Sequence, residues 1–115
     1  MEPSIVVHGG AWDIPDDLVD QHVRGCQRAA DIGKDLLVRG ATAVEAVEAA
    51  VVYMEDDPVF DAGKGSVLNQ AGQIEMDAVI MDGTSLRSGA VAALRHTRNP
   101  IRVARRLMET THFSM

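Results

Sequence analysis

The sequence predicts an α/β (α+β) fold in which helices pack closely on a small β-sheet. Three observations support this fold class. Short runs of β-branched and apolar residues end abruptly at glycines or turn residues, which is typical of strands. Longer segments carry apolar residues at helical spacing between recognisable start and stop residues. Aromatic residues make up only 3% of the 115 residues, so Val, Ala, Leu, Ile and Met must fill the core.

The first predicted element is a short buried strand over Ser4–His8. Its apolar, β-branched residues begin after Pro3 and stop at Gly9 and Gly10. Two adjacent glycines do not continue a strand, so we expect a loop there. This loop leads into Trp12, the single tryptophan of the chain.

The next predicted element is a long helix that begins at Asp16 or Asp17. Acidic residues near its start suit the positive end of the helix dipole. Apolar residues from Leu18 to Leu37 recur at helical spacing, which indicates one buried face. Gly40 follows the last apolar positions and is predicted to close the helix.

A second helix is predicted directly afterwards. Thr42 and Glu45 have the spacing of a capping box, in which the threonine hydroxyl and the glutamate carboxylate each satisfy a free amide at the helix start. The helix is apolar on most faces, so we expect it to lie buried against a sheet and a neighbouring helix. Asp57-Pro58 ends it, because proline disfavours helical geometry in the residue before it.

The remainder of the chain predicts a hairpin followed by a third helix. Phe60–Asn69 is irregular and rich in glycine, and residues 70–72 supply a turn. A strand is then predicted over Ile74–Met81, where Ile74, Met76, Ala78 and Ile80 alternate with Glu75, Asp77, Val79 and Met81. Ser88–Leu94 is most simply the partner strand, with an alanine-rich helix as the alternative. Pro100 is placed to occupy the first turn of the last helix.

Charge and hydropathy exclude several classes of partner. The formal net charge is -6, from 11 Lys and Arg against 17 Asp and Glu, and duplex binding needs a concentrated basic face. The basic cluster Arg102, Arg105 and Arg106 is too short to provide one, so no nucleic-acid partner is expected. The sequence shows no secretory signal pattern and no apolar run near membrane-spanning length. We therefore expect a cytoplasmic protein with no membrane partner.

Several familiar chemical motifs are suggested but incomplete. The four histidines show none of the usual intervals of a transition-metal site; they are His8, His22, His96 and His112. The strand followed by Gly9 and Gly10 imitates a dinucleotide loop, but the full glycine fingerprint is missing. Cys26 has no second cysteine to pair with and is expected to pack in the helix. Glu75 and Asp77 share one strand face, which favours a solvated face over an acid–base pair.

The segment DPVFDAGKGSVLN is the most informative loop. Gly63 and Gly65 let the backbone turn tightly, and a tight loop directs successive carbonyl groups inward, where they suit a hard cation. The alternative is a purely structural loop anchored by Phe60, and composition alone favours that alternative. Lys64 between the glycines imitates a phosphate loop, but the required spacing is absent.

Five segments in the same order resemble one family. They are IVVHGGAW, DDPVFDAGKGSVLN, EMDAVIMDG, SGAVAAL and NPIRVARRLME, and together they cover nearly all of Ile5–Glu109. The combination resembles the plant-type L-asparaginases and isoaspartyl peptidases, which are N-terminal nucleophile hydrolases. No single segment carries this resemblance.

The resemblance implies a precursor that cuts itself before a threonine into α and β subunits. Residues 1–115 would be a single partial domain, the first portion of the α subunit, within an αββα four-layer sandwich. Their partner would be the β subunit of the same precursor, and two αβ units would form a homodimer. The freed threonine acts as nucleophile and, through its α-amino group, as base, so no organic cofactor is needed. The substrates would be asparagine and β-aspartyl peptides, hydrolysed to aspartate.

The implied roles of this chain are supporting ones. The family nucleophile lies in the β subunit, so no catalytic residue is carried over and the chain alone is expected to be inactive. His8, Gly9 and Gly10 match the glycine-rich loop beside the active site, although Ala11 stands where the family often has a third glycine. Asp61 stands where the family usually has an asparagine near the nucleophile.

The middle segment resembles the sodium-binding loop of the family. The main-chain carbonyls that would hold a structural sodium ion map to Met54, Glu55, Asp57, Phe60, Ala62 and Lys64. Carbonyl ligands depend little on side-chain identity, so this assignment tolerates substitutions. Two other functions stay open: a non-catalytic interaction or oligomerising module, and a related threonine hydrolase such as glycosylasparaginase.

Overall fold

The computed structural model describes residues 2–110. Its regular elements are α1 (Asp16–Val38), α2 (Ala43–Asp56), a 3-10 turn (Gly63–Gly65), β1 (Met76–Met81), β2 (Ser88–Leu94) and α3 (Pro100–Glu109). The two strands form one antiparallel sheet. The α+β class that the sequence predicts is therefore confirmed. No helix within residues 2–110 is long and apolar enough to cross a membrane.

The predicted strand at Ser4–His8 is wrong, because the structure assigns no strand there. Exposure still alternates as in a strand: Ile5 and Val7 are half-buried, whereas Val6 is 93% exposed. Ile5 packs against Gly33 of α1 so closely that a Cβ at Gly33 would collide with it. A strand also needs a neighbour to satisfy its amides and carbonyls. No other described strand runs beside this segment, so the pattern is present without the pairing.

Local sequence signals set the end of α1 and the start of α2 as predicted. Gly40 follows α1 with a φ of +90°, the left-handed geometry that glycine tolerates best. The Thr42 hydroxyl accepts a hydrogen bond from the Glu45 amide at 3.2 Å, and the Glu45 carboxylate accepts one from the Thr42 amide at 2.7 Å. These bonds complete the capping box. The hydrogen bonds that the Thr42 amide and hydroxyl donate to the Glu45 carboxylate lower the pKa of Glu45.

The two helices pack through small residues. Ala29 on α1 and Ala46 and Ala50 on α2 are almost fully buried, which allows the helix backbones to approach. The expectation that α2 is buried on most faces was too strong, because Val47 is 38% exposed. The reason is that α2 packs mainly on α1 and touches the small sheet only slightly.

The hairpin contains a bulge that explains one acidic side chain. Met76 pairs with Leu94 and Ala78 pairs with Val91, so two residues of β2 oppose Asp77. Ala93 lies in this bulge with a φ of +53°, and its amide donates to Asp77 Oδ1 at 2.8 Å. The structure thus confirms the second strand and excludes the alanine-rich helix. It also starts the first strand at Met76 rather than at Ile74.

The main core lies between the hairpin and α3. Its buried members are Ile80, Ile101, Ala104 and Met108, with valines of α2 packed around them. Gly89 makes the close approach possible, because a Cβ there would collide with the Ala104 carbonyl and lie 2.5 Å from the Met108 amide nitrogen. This packing fixes the position of α3 against the hairpin.

Candidate functional site

The glycine-rich loop is held by a bond between its own residues. The Gly10 amide donates to His8 Nδ1 at 3.2 Å. Because Nδ1 accepts, a neutral imidazole in this arrangement carries its proton on Nε2. Gly10 has a φ of +112°, which a residue with a Cβ adopts only with strain. The His8 side chain therefore stabilises a backbone shape that requires glycine.

The structure brings all four predicted active-site support residues to one pocket. His8, Gly9 and Gly10 line a cavity of about 640 Å³, and Asp61 reaches it from the loop after α2. Phe60 contributes to the same wall. Two segments that are distant in sequence therefore meet at one mainly apolar cavity that carries a few polar groups, as binding sites commonly do.

Asp61 also helps to build its own loop. Its Oδ1 accepts a hydrogen bond from the Val67 amide at 3.0 Å. An asparagine could make the same bond through its side-chain oxygen and would add an N–H donor, which an ionised aspartate lacks. The difference between Asp61 and asparagine is therefore in donor chemistry rather than in loop geometry.

The last turn of α2 presents main-chain carbonyls without the usual helical donors. Met54 would accept from the amide four residues later, but that residue is Pro58, which has no N–H. The Val59 amide donates to Asp57 Oδ1 at 3.1 Å instead of to the Glu55 carbonyl. Within residues 2–110, neither the Met54 nor the Glu55 carbonyl receives a backbone N–H from the loop.

The glycines of the loop lie directly against further carbonyls. A Cβ at Gly65 would collide with the Phe60 carbonyl oxygen and lie 2.7 Å from that of Pro58, and a Cβ at Gly63 would collide with the Glu55 carbonyl oxygen. The carbonyl oxygens of Glu55, Pro58 and Phe60 therefore lie close around these two glycines. Hard cations prefer oxygen ligands, and main-chain carbonyl oxygens are among them.

The residues present fit a main-chain cation site. The carbonyls of Asp57 and Ala62 accept bonds from the amides of Phe60 and Gly65 at 3.2 and 3.0 Å, and a carbonyl oxygen keeps a second lone pair. In the described part of the chain, no three His, Cys, Asp or Glu side chains are grouped to hold a metal. Any ion here would be held by the backbone.

The side chain of Glu55 has a role that the sequence analysis missed. It is 3% exposed, and its carboxylate accepts from the Ile101 amide at 3.1 Å and from Asn99 Nδ2 at 3.3 Å. It thereby caps the start of α3 from another helix. Burial raises the pKa of Glu55, and the two hydrogen bonds oppose that shift. The sequence carried no signal for this role, because Glu55 begins the acidic run Glu55–Asp57 and nothing distinguishes it there from its neighbours.

A charged cluster extends this cap toward solvent. Asn99 Nδ2 also donates to Asp56 Oδ1 at 3.1 Å, and the Arg98 guanidinium binds both carboxylate oxygens of Asp56 at 3.1 Å. The bonds from Arg98 and Asn99 hold the pKa of Asp56 below its usual value. The cluster ties the segment before α3 to the end of α2.

His22 is the second residue that the sequence analysis missed. It is 4% exposed on α1 and lies edge-on between two aromatic rings. Its ring centroid is 5.7 Å from that of Trp12 and 5.4 Å from that of Phe60. Neither of its ring nitrogens has a hydrogen-bond partner among residues 2–110. Its helical spacing to the buried Ala29 was the available signal.

The remaining motif residues have structural surroundings. Cys26 is half-buried and its Sγ packs against Gly9, whereas Glu75 forms an ion pair with Arg95 at the exposed hairpin. Lys64 is exposed on the 3-10 turn. His112 lies outside the described residues.

Comparison with known proteins defines the class. The family model described as asparaginase matches residues 1–115, so the chain belongs to this family. The resemblance stated from the five segments is confirmed.

Individual relatives carry more specific names. The chain is 53% identical over 111 residues to the isoaspartyl peptidase/L-asparaginase of Xenopus laevis and 53% identical over 112 residues to that of Homo sapiens. Each match covers 96% of this chain and 36% of the relative. A plant-type L-asparaginase of Pyrococcus horikoshii is 45% identical over 109 residues, with 94% of this chain and 35% of the relative covered. The chain therefore spans little more than a third of the length of these relatives.

Proposed function

We propose that the complete protein hydrolyses the side-chain amide of asparagine and the isopeptide bond of β-aspartyl peptides, releasing aspartate. The observation that carries this proposal is the family match over residues 1–115, a region that contains the glycine-rich loop and Asp61, which line one pocket. The names of the relatives support the same pair of substrates.

In this proposal the chain supplies support and the β subunit supplies the reacting group. The hydroxyl of a threonine at the start of the β subunit attacks the amide carbon, and its own amine takes the hydroxyl proton. The C–N bond then breaks, the leaving ammonia or peptide amine takes that proton, and water hydrolyses the remaining ester to release aspartate. His8 fixes the Gly9–Gly10 backbone through its bond to the Gly10 amide. Asp61 borders the same pocket and contributes an acceptor there.

The partner would be the β subunit of the same precursor, within a four-layer αββα sandwich. Exposed apolar side chains support such a partner: Val6 on the unpaired segment is 93% exposed, and Val79 and Met81 on β1 are 68% and 55% exposed. Added strands would pair with this segment and cover that sheet face. We further propose a homodimer of αβ units located in the cytoplasm, with no nucleic-acid or membrane partner and no organic cofactor.

The test uses the protein produced from its own gene. Aspartate release is measured with asparagine and with a β-aspartyl dipeptide, and intact masses are recorded to detect two subunits. We expect turnover of both substrates, and Asp61→Asn should alter the rate while leaving the fold unchanged. A folded protein that releases no aspartate from either substrate would overturn the proposal.

We also propose that the last turn of α2 and the loop after it bind a structural sodium ion through the carbonyls of Met54, Glu55, Asp57, Phe60, Ala62 and Lys64. When bound, the ion would neutralise the negative ends of these carbonyl dipoles. Sodium chloride should raise the melting temperature more than the chloride of a larger cation at equal ionic strength. Gly65→Ala should abolish the difference, whereas the control Gly83→Ala should keep it, because nothing lies within 4 Å of that position. Equal melting temperatures with both cations would refute the site.

A further inference from the structure

Phe60 links two loops because its backbone and its ring face different neighbours. Its carbonyl oxygen packs against Gly65 in the proposed cation loop. Its ring is buried, with 2% of the residue exposed, and lies edge-on to His22 at 5.4 Å. A Cβ at Gly25 would lie 2.7 Å from the ring, and a Cβ at Gly9 would lie 3.1 Å from it. A small movement of the Phe60 backbone therefore cannot leave its ring contacts unchanged.

His22 continues this contact to the far side of the glycine-rich loop. Its ring meets that of Trp12 edge-on, with 5.7 Å between centroids and 67° between planes. Trp12 in turn lies beside Gly10, where a Cβ would be 3.6 Å from Trp12 Cδ1. The three rings thus form an unbroken path from the cation loop to Gly10.

The imidazole of His22 is held by ring contacts rather than by hydrogen bonds. Both nitrogens are buried, and neither has a hydrogen-bond partner in the described residues. Buried polar atoms normally have partners, whereas the contacts of this imidazole among residues 2–110 are edge-on contacts with the rings of Trp12 and Phe60. Edge-to-face geometry on both sides is what an aromatic ring provides and an aliphatic side chain does not.

We propose that His22 is a positioning residue and that the Phe60–His22–Trp12 stack, meaning these three rings, couples cation binding to the conformation of the Gly9–Gly10 loop. This inference rests on the proposed cation site. A cation that draws in the Phe60 carbonyl shifts the attached ring, and close packing passes the shift to His22 and then to Trp12. The loop that lines the proposed active-site pocket then responds to an ion bound on the other side of Phe60.

Trp12 provides the measurement, because it is the single tryptophan of the 115 residues. Emission is recorded for the protein produced from its own gene while sodium chloride replaces choline chloride at constant ionic strength. The Trp12→Phe variant supplies the background to subtract. Melting temperatures are measured in the same samples, so binding of the ion is followed independently of the fluorescence.

The His22 variants show whether the coupling through the Phe60–His22–Trp12 stack needs a ring at position 22 or only a side chain of similar volume. His22→Phe keeps a ring and His22→Leu removes it, whereas His22→Met fills similar space without a ring and replaces the leucine variant if that one does not fold. Gln21→Leu is the matched control, since Gln21 is an exposed neighbour on α1. We expect a saturable sodium-dependent shift of Trp12 emission in the parent protein, the control and His22→Phe. The shift should be lost in His22→Leu and His22→Met, although sodium still raises their melting temperatures.

Each other outcome overturns the inference in a distinguishable way. Sodium stabilisation without any Trp12 response in the parent protein would leave the cation site standing and remove the coupling. A response that persists in His22→Leu or His22→Met would remove His22 from the path. Loss of both the stabilisation and the response would mean that the cation site itself fails.

Discussion

Removing the buried carboxylate of Glu55 should uncap α3. In Glu55→Ala the Ile101 amide and Asn99 Nδ2 both lose an acceptor that is 3% exposed in the native chain. A hydrogen bond to a charged group contributes about 1.5 to 3 kcal/mol. Two such bonds, offset by relief of the buried charge, give an expected loss of about 3 kcal/mol.

Glu55→Gln is the matched variant, because it keeps the shape and one acceptor oxygen. Its loss should be about 1 kcal/mol or less, since the Ile101 bond survives and no charge is buried. Urea unfolding followed by circular dichroism measures both values, and hydrogen exchange at the Ile101 amide reports the cap directly. A loss below about 1 kcal/mol in Glu55→Ala, with Ile101 still protected, would refute this account of the helix start.

The parent chain and Glu55→Gln together test how stability depends on pH, and the pKa shift of Glu55 sets the direction of the expected change. Burial raises the pKa of Glu55 above its ordinary value of 4.5, so the folded chain holds that proton more tightly than the unfolded chain. Ionised Glu55 therefore stabilises the fold less than protonated Glu55 does, and this difference disappears as the pH falls from above the raised pKa to below the ordinary value. The parent chain should gain stability relative to Glu55→Gln between about pH 7 and about pH 4.5. Asp56 has a lowered pKa, so its contribution is lost only below about its ordinary value of 3.8. A difference in unfolding free energy between the parent chain and Glu55→Gln that stays constant from about pH 7 to about pH 4.5 would contradict the raised pKa of Glu55.

Three further changes test other parts of the structure. Thr42→Ala should lower the free energy of unfolding by about 1 kcal/mol through loss of the capping box, with Thr84→Ala near zero as the control; equal losses in chemical denaturation would contradict the cap. Gly89→Ala should cost about 1 to 3 kcal/mol by forcing α3 away from the hairpin, and a melting temperature unchanged from the parent would disprove that close contact. Gly10→Ala should reduce aspartate release by the complete protein because its φ of +112° disfavours a Cβ, and full activity in steady-state kinetics would remove the need for glycine there.

Elements with local causes were predictable from the sequence. The capping box at Thr42, the left-handed Gly40 and the proline that begins α3 each act within a few residues, so single-sequence reasoning located them. The hairpin was also readable, because alternation and turn residues lie next to each other. Only its bulge at Ala93 and the exact start of β1 were missed.

Elements with distant causes were not predictable in the same way. Ser4–His8 has the composition of a strand, but pairing depends on a neighbour that the described residues do not supply. The roles of Glu55 and His22 arise from contacts with residues on other elements, and neither side chain belongs to a recognisable motif. The pocket was anticipated only through the family resemblance, since composition gives no reason for Gly10 and Asp61 to meet.

The cap that Glu55 places on α3 also bears on the order in which the chain folds. The bond from the Ile101 amide to Glu55 spans 46 residues, whereas β1, β2 and α3 follow one another directly in sequence. Closing the longer loop costs more chain entropy before any contact compensates for it. We expect the hairpin and α3 to associate early as a fluctuating unit. Docking onto α2 would then complete the first turn of α3, because only then does the Glu55 carboxylate reach the Ile101 amide. This hydrogen bond would therefore form late in folding.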